Sequence, residues 1–219
     1  MKKMFMLAVA AMVALPTITM AQKTTIQRIT REKTYETQTY DVKIWYEGSL
    51  MFGYATGGKM TIKDEDGDIW KEKTDFSRPF IETVHGVRIT KYGYAGLGLG
   101  VQYAYGKFEP DYEDSDKWNT LLMPIFLNLK GYYPVNNTFA PYVSVSLGSS
   151  ACLMSNWNDS EEEKLVGGFY GKAGIGFSYK KFMFDFGLMH QGLAIKYTGY
   201  SSKDKLSNNS FYVNLGVKF

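Results

Sequence analysis

From residue 42 to its last residue the chain alternates apolar and polar positions with a period of two, the mark of strands that show different solvents on their two faces. The final segment is the clearest. Phe211, Val213, Leu215, Val217 and Phe219 share one face, and Tyr212, Asn214, Gly216 and Lys218 share the other. The same parity runs through Ala95 to Tyr105, Met123 to Leu129, Val143 to Leu147, Phe169 to Tyr179 and Phe182 to Leu188, and near the start through Ile44, Tyr46, Leu50, Phe52 and Tyr54. In the stretch from Phe80 to Thr90 the pattern is weaker, with Ile81, Val87 and Ile89 opposing Glu82, Gly86 and Arg88. These eight segments predict eight strands, each suited to a tilted membrane crossing of about 9 to 11 residues. Short connections fall at residues 91–93, 133–138 and 180–181, and long ones at residues 56–79, 106–120, 152–166 and 192–209. Short turns alternating with long loops predict an all-β, eight-stranded antiparallel up-and-down transmembrane barrel, closed so that no backbone group faces lipid unpaired.

Alternation alone leaves open which face meets lipid. The second face decides it, because Glu47, Arg88, Lys130, Lys172, Asp185 and Lys218 sit there among glycines and serines, and no segment remains to cover so polar a surface. A narrow lumen takes small residues and lets opposite charges pair, so these six form the expected polar network of the interior, a plug and not a conduit. The apolar face ends in aromatics at both margins. Tyr54, Tyr103, Tyr105 and Phe211 lie toward the long loops, and Tyr179, Phe182 and Phe219 toward the short turns, as girdles at the two bilayer surfaces would.

Composition narrows the class. Of 219 residues 45% are hydrophobic and 16% aromatic, with 22 glycines, 17 tyrosines and only 6 prolines, which excludes a disordered chain. Past residue 21 no apolar run approaches the ~18 to 20 residues of a membrane helix. Residues 1–21 carry Lys2 and Lys3, a short apolar stretch from Met4 to Leu15, Pro16, and small residues at Thr19 and Ala21, and read as a secretory signal peptide. Its removal takes two lysines and lowers the formal charge from +3 to +1, which leaves no basic stripe for nucleic acid. Residues 22–41 read as a polar periplasmic leader and residues 42–219 as the barrel. Cys152 is the one cysteine, so no internal disulfide braces the fold, and the expected place for it is a packed strand end.

The barrel region resembles the small outer-membrane proteins of the OmpA and OmpX type from Gram-negative bacteria. The likeness rests on the terminal Leu215-Gly216-Val217-Lys218-Phe219 and on the strand pair VHGVRITKYGYAGLGLGVQY at residues 84–103. It implies that Phe211, Leu215, Val217 and Phe219 form the signal read by the barrel-assembly machinery, with the outer membrane as the location. The sequence ends at the last strand with no peptidoglycan-binding domain, as in the OmpX-like subset.

Candidate chemistry is sparse. His85 and His190 are the only histidines, and no serine and acid accompany His190 on its face as in the lipid A-modifying barrels that this region resembles, so an enzyme is not expected. Asp64 to Asp68 fails the spacing of a calcium loop and reads instead as a hairpin, with Asp66-Gly67 as its turn and Met60, Ile62 and Trp70 on its flanks. Gly96, Gly98 and Gly100 lack the spacing and following helix of a nucleotide loop. The acidic groups Glu109, Asp111, Glu113, Asp114 and Asp116, and Glu161 to Glu163, read as solvated loops that could meet lipopolysaccharide phosphates through divalent cations. No cofactor or metal is expected. The chain therefore reads as a non-enzymatic structural or surface-interaction protein, whose partners are membrane lipid, lipopolysaccharide, the assembly machinery and a surface partner at the four long loops. Two alternatives stand beside it: a narrow channel, and a soluble lipocalin-like carrier with its apolar face turned inward.

Overall fold

The computed structural model describes residues 43–63, 69–108, 117–156, 163–197 and 203–219. The signal peptide and leader read at residues 1–21 and 22–41 lie outside the described residues, as do the turn at residues 64–68, the whole acidic cluster from Glu109 to Asp116, and Glu161 and Glu162 of the second. Among the described residues nine strands follow one another: β1 (Ile44–Thr56), β2 (Lys59–Lys63), β3 (Ile69–Ile89), β4 (Gly93–Phe108), β5 (Lys117–Tyr132), β6 (Phe139–Ser155), β7 (Glu163–Tyr179), β8 (Phe182–Tyr197) and β9 (Lys203–Lys218). All neighbours are antiparallel, and β1 pairs with both β3 and β9, which closes the sheet. Because β2 pairs with the same two strands, β1 and β2 are two parts of one stave, and the barrel has eight.

The break in that stave is at Gly57 and Gly58, with φ of 73° and 107°. A β-carbon at Gly58 would collide with the Asn209 carbonyl, so the close approach there requires glycine. Across the break the register with β3 shifts by one residue, as at a bulge: Thr56 pairs with Ser77, but Lys59 with Lys73. The hairpin read around Asp66-Gly67 agrees with the pairing of Ile62 to Trp70 and Met60 to Glu72, while its turn lies outside the described residues.

At the other end the turns are tight. Thr90 and Lys180 take positive φ of 59° and 53° to reverse the chain. In the link between β5 and β6, Asn136 Oδ1 accepts from the backbone N–H groups of Thr138 and Phe139 at 2.9 and 2.8 Å, and the Val135 N–H donates to the Phe139 carbonyl at 3.1 Å, so side chain and backbone close the turn together.

The strands are longer than the alternation suggests, at 16 to 21 residues for β3 to β9. The outward apolar run occupies only part of each, from the short-turn end to Tyr54, Tyr103, Leu147, Phe169, Leu188 and Phe211. Ten residues of tilted strand cover about 25 Å, the height of an outer-membrane apolar band. The rest of each strand continues beyond it. The long connections read at residues 56–79, 106–120, 152–166 and 192–209 are therefore corrected: β2, most of β3 and the ends of β4 to β9 occupy much of them. The pattern misses these extensions because the outward face becomes polar there.

Candidate functional site

Inside and outside exchange their chemistry at one height. On β8 the outward residues are Phe182, Phe184, Phe186 and Leu188, then His190, Gly192, Ala194 and Lys196. The inward ones are Met183, Asp185, Gly187, Met189 and Gln191, then the buried Leu193 and Ile195. On β9 the change falls in the paired place: Lys205, Ser207 and Asn209 give way outward to Phe211, Val213 and Leu215, while inward Leu206 gives way to Asn208, Ser210 and Tyr212. One strand parity thus serves two solvents. Beside lipid the exterior is apolar, with Leu97 at 68%, Leu215 at 61% and Phe211 at 69% exposed, and the interior holds the buried charges packed among Met51, Phe80, Phe126, Met183 and Met189; above the lipid the exterior turns polar and the interior is apolar.

The lumen fills in layers. At the short-turn mouth Arg88 Nη1 donates to Glu47 Oε2 at 2.8 Å, its Nη2 to the Lys91 carbonyl at 3.0 Å, and its guanidinium lies 3.8 Å from the centre of the Tyr132 ring. Tyr132 Oη donates to the other Glu47 oxygen at 3.1 Å. Above this, Asp185 accepts from Tyr142 Oη at 3.0 Å, and Lys130 Nζ lies 5.1 and 5.6 Å from the Tyr94 and Tyr142 rings. Next, Lys172 Nζ donates to Glu82 at 2.5 Å, Tyr170 Oη donates to the same carboxylate at 2.7 Å, and the Tyr212 ring is 5.0 Å from the ammonium. Higher still, Arg78 donates to Asn208 Oδ1 at 3.0 Å and to Gln102 Oε1 at 3.4 Å. An apolar cluster of Ala104, Trp118, Leu122, Leu165, Leu193, Ile195 and Leu206 tops the stack, with Cys152 and Tyr197 packed against it. Above the bilayer, where the sequence reading placed loops, the interior is an ordinary apolar core.

Of the six charges read as a network, Glu47 and Arg88 meet as an ion pair, while Lys130, Asp185 and Lys218 lie in the same lumen without an ion pair among the described residues. Lys172 has its partner in Glu82, which the sequence places on the inward face but outside that network. Arg78 falls within the first long connection by sequence, yet it is fully buried in β3. The signal exists: residues 78, 80, 82, 84, 86 and 88 share one parity. Pro79 hides it, because proline reads as a strand boundary. Here it faces outward, and the β3–β4 ladder passes from Ser77↔Tyr105 to Phe80↔Gln102 without using it.

The aromatics Tyr54, Tyr103, Tyr105, Tyr179 and Phe182 are all exposed on the outer wall, and Tyr54 Oη donates to Ser77 Oγ at 2.8 Å. Phe211, Leu215, Val217 and Phe219 line the outward face of β9, and the Phe219 backbone exchanges hydrogen bonds with Gly48 at 2.8 and 2.9 Å. His190 Nδ1 bonds Asn209 Oδ1 at 2.7 Å. His85 lies on the outer wall between Tyr46 Oη and Thr83 Oγ1, at 2.5 and 2.8 Å. Thr83 also donates to the Ser49 carbonyl at 3.2 Å and is 2% exposed, so its hydroxyl is no accessible nucleophile. Among the described residues no three metal-ligating side chains converge.

A closed antiparallel sheet of eight staves, apolar outside and charged inside over one bilayer height, defines a transmembrane β-barrel of the outer-membrane type. A known structure agrees on the fold. The outer membrane protein OprG from Pseudomonas aeruginosa superposes with a TM-score of 0.52 at 15% identity, covering 79% of this chain and 95% of that one. AlkL, solved in lipid bilayers, gives 0.49 at 14% identity over 87% and 96% of the two chains, and Neisserial surface protein A gives 0.36 at 17% over 80% and 97%. No protein-family model matches this chain, and no curated protein does.

Proposed function

We propose that this barrel is a non-catalytic, non-conducting outer-membrane protein whose role lies in surface interaction or envelope integrity, carried by the strand ends and loops that stand beyond the bilayer. The observation behind this reading is the filled lumen. Arg78, Tyr170, Tyr212, Phe126, Leu122, Met183, Met189, Gln102, Gln191 and Glu82 are the largest fully buried side chains, and they stack across the interior over most of the barrel's height. A pathway for solutes would have to displace two buried ion pairs and then an apolar core. The soluble-carrier alternative needs an oily cavity behind a polar exterior at lipid height, the reverse of what β8 and β9 present. Membrane lipid is the one partner the apolar wall requires; lipopolysaccharide at the loop end and the assembly machinery at the β9 seam belong to the same proposal.

Planar-bilayer recording tests it directly. The intact barrel should give no unitary conductance above baseline, and protease added to whole cells should cut at the loop end. Reproducible ion-selective steps would replace this reading with the narrow channel.

A further inference from the structure

The mouth at the short-turn end, periplasmic in barrels of this type, is an open cavity of about 480 Å³. Four cations line it: Arg88, Lys91, Lys181 and Lys218. The side-chain carboxylate there is Glu47, already held by Arg88 and Tyr132, and the Phe219 carbonyl oxygen accepts from the Gly48 N–H. Among the described residues none of the three lysines has an ion-pair partner. Two buried donors in the same wall, Arg88 Nε and Ser178 Oγ, have no hydrogen-bond partner, although Arg88 is 6% and Ser178 1% exposed. A buried donor without an acceptor is costly, and a guanidinium N–H and a hydroxyl beside mobile ammonium groups suit a tetrahedral oxyanion.

We infer that this mouth is a binding site for a phosphate-class anion, with Arg88 and Ser178 as its fixed donors and Lys91, Lys181 and Lys218 as its mobile ones. The inference is independent of the surface role proposed above. The phosphate can come from solution or from an anionic phospholipid of the inner leaflet. Geometry offers the lipid a place: Phe139 lines both the mouth and an apolar groove of about 450 Å³ on the outer wall, formed with Pro141, Val143, Ile175, Phe177 and Phe186.

The test uses the barrel in phosphatidylcholine nanodiscs, titrated with sodium pyrophosphate by calorimetry, and repeated with phosphatidylglycerol added to the disc. Saturable one-to-one binding is expected. If phosphatidylglycerol abolishes it the natural source is a lipid headgroup, and if binding is unchanged the source is soluble; either supports the site. Lys91→Gln with Lys181→Gln, both in exposed turns, should weaken pyrophosphate binding about tenfold or more, and Ser178→Ala should weaken it with no change of charge. Lys164→Gln with Lys196→Gln, paired at the opposite end, should leave it unaltered. Absence of saturable binding overturns the inference. So does an equal loss in both double variants, which would mean diffuse attraction, or binding seen only after residues 22–41 are deleted, which would mean that the chain itself fills the mouth.

Discussion

An arginine moved along the outer wall measures where lipid begins. Val145 faces outward from β6, is 42% exposed, and pairs with Leu129 and Ala173. It lies six residues from Phe139, which pairs with Tyr179 at the short-turn edge. Six residues of tilted strand rise roughly 15 Å, which puts Val145 close to the middle of an apolar band about 25 Å tall. Val145→Arg should therefore cost about 2 to 4 kcal/mol. Ser207 faces the same way on β9, above the height at which the two faces exchange, and Ser207→Arg should cost only about 0 to 1 kcal/mol. Ser144→Arg, one residue from Val145 but inward and 4% exposed, should fail by overpacking instead, at about 1 to 3 kcal/mol or more. Urea titration of folding into phosphatidylcholine vesicles, followed by tryptophan fluorescence, gives all three values. If Val145→Arg costs no more than Ser207→Arg, the assignment of faces and the position of the membrane are both wrong.

Two further substitutions probe the interior. Glu82→Gln leaves Lys172 buried without its carboxylate and should lose about 3 to 5 kcal/mol in the same titration, with most of it restored when Lys172→Met is added; a neutral single variant would mean that the pair carries no such weight. Leu193→Lys puts an ammonium among Leu165, Ile195 and Leu206 and should lose about 3 kcal/mol or more, whereas a polar upper lumen would tolerate it.

The bilayer-spanning part of this barrel is legible in its sequence because lipid and a narrow lumen impose opposite demands on alternate residues. Leu215 and Asn214, or Leu188 and Gly187, could not trade places without placing a polar group in hydrocarbon or crowding the axis. Above the lipid that contrast fades. Lys205, Ser207 and Asn209 look like loop residues by composition, yet they pair in register with Ala194, Gly192 and His190. Water satisfies a strand's outer side chains and a loop's equally well, so composition does not separate them. The surviving signal is inward: Leu193, Ile195 and Leu206 keep the strand parity and are apolar, without the charges that the lumen below holds among its methionines and aromatics.

Which charges pair inside is harder to read, because parity places a residue in the lumen but not at a height. Height depends on the stagger between strands, which at lipid height is carried by ladders in unbroken register, while the breaks at Gly57-Gly58, at Leu121/Leu122 and between Gly167 and Tyr170 fall toward the long-loop end. With that stagger Lys172 on β7 meets Glu82 on β3, across the lumen and 90 residues away in sequence, while Asp185 on the neighbouring β8 binds Tyr142. The same stagger brings Arg88 beside Glu47 at the mouth and leaves Lys91, Lys181 and Lys218 around it with no acid of their own. A plug that only needed to neutralise itself would place its carboxylates where the cations are densest. This one puts Glu82 and Asp185 in the middle of the barrel with Lys172 and Lys130, and three further lysines at the opening, so the excess positive charge faces the solvent and headgroups outside the lumen, where an anion can reach it.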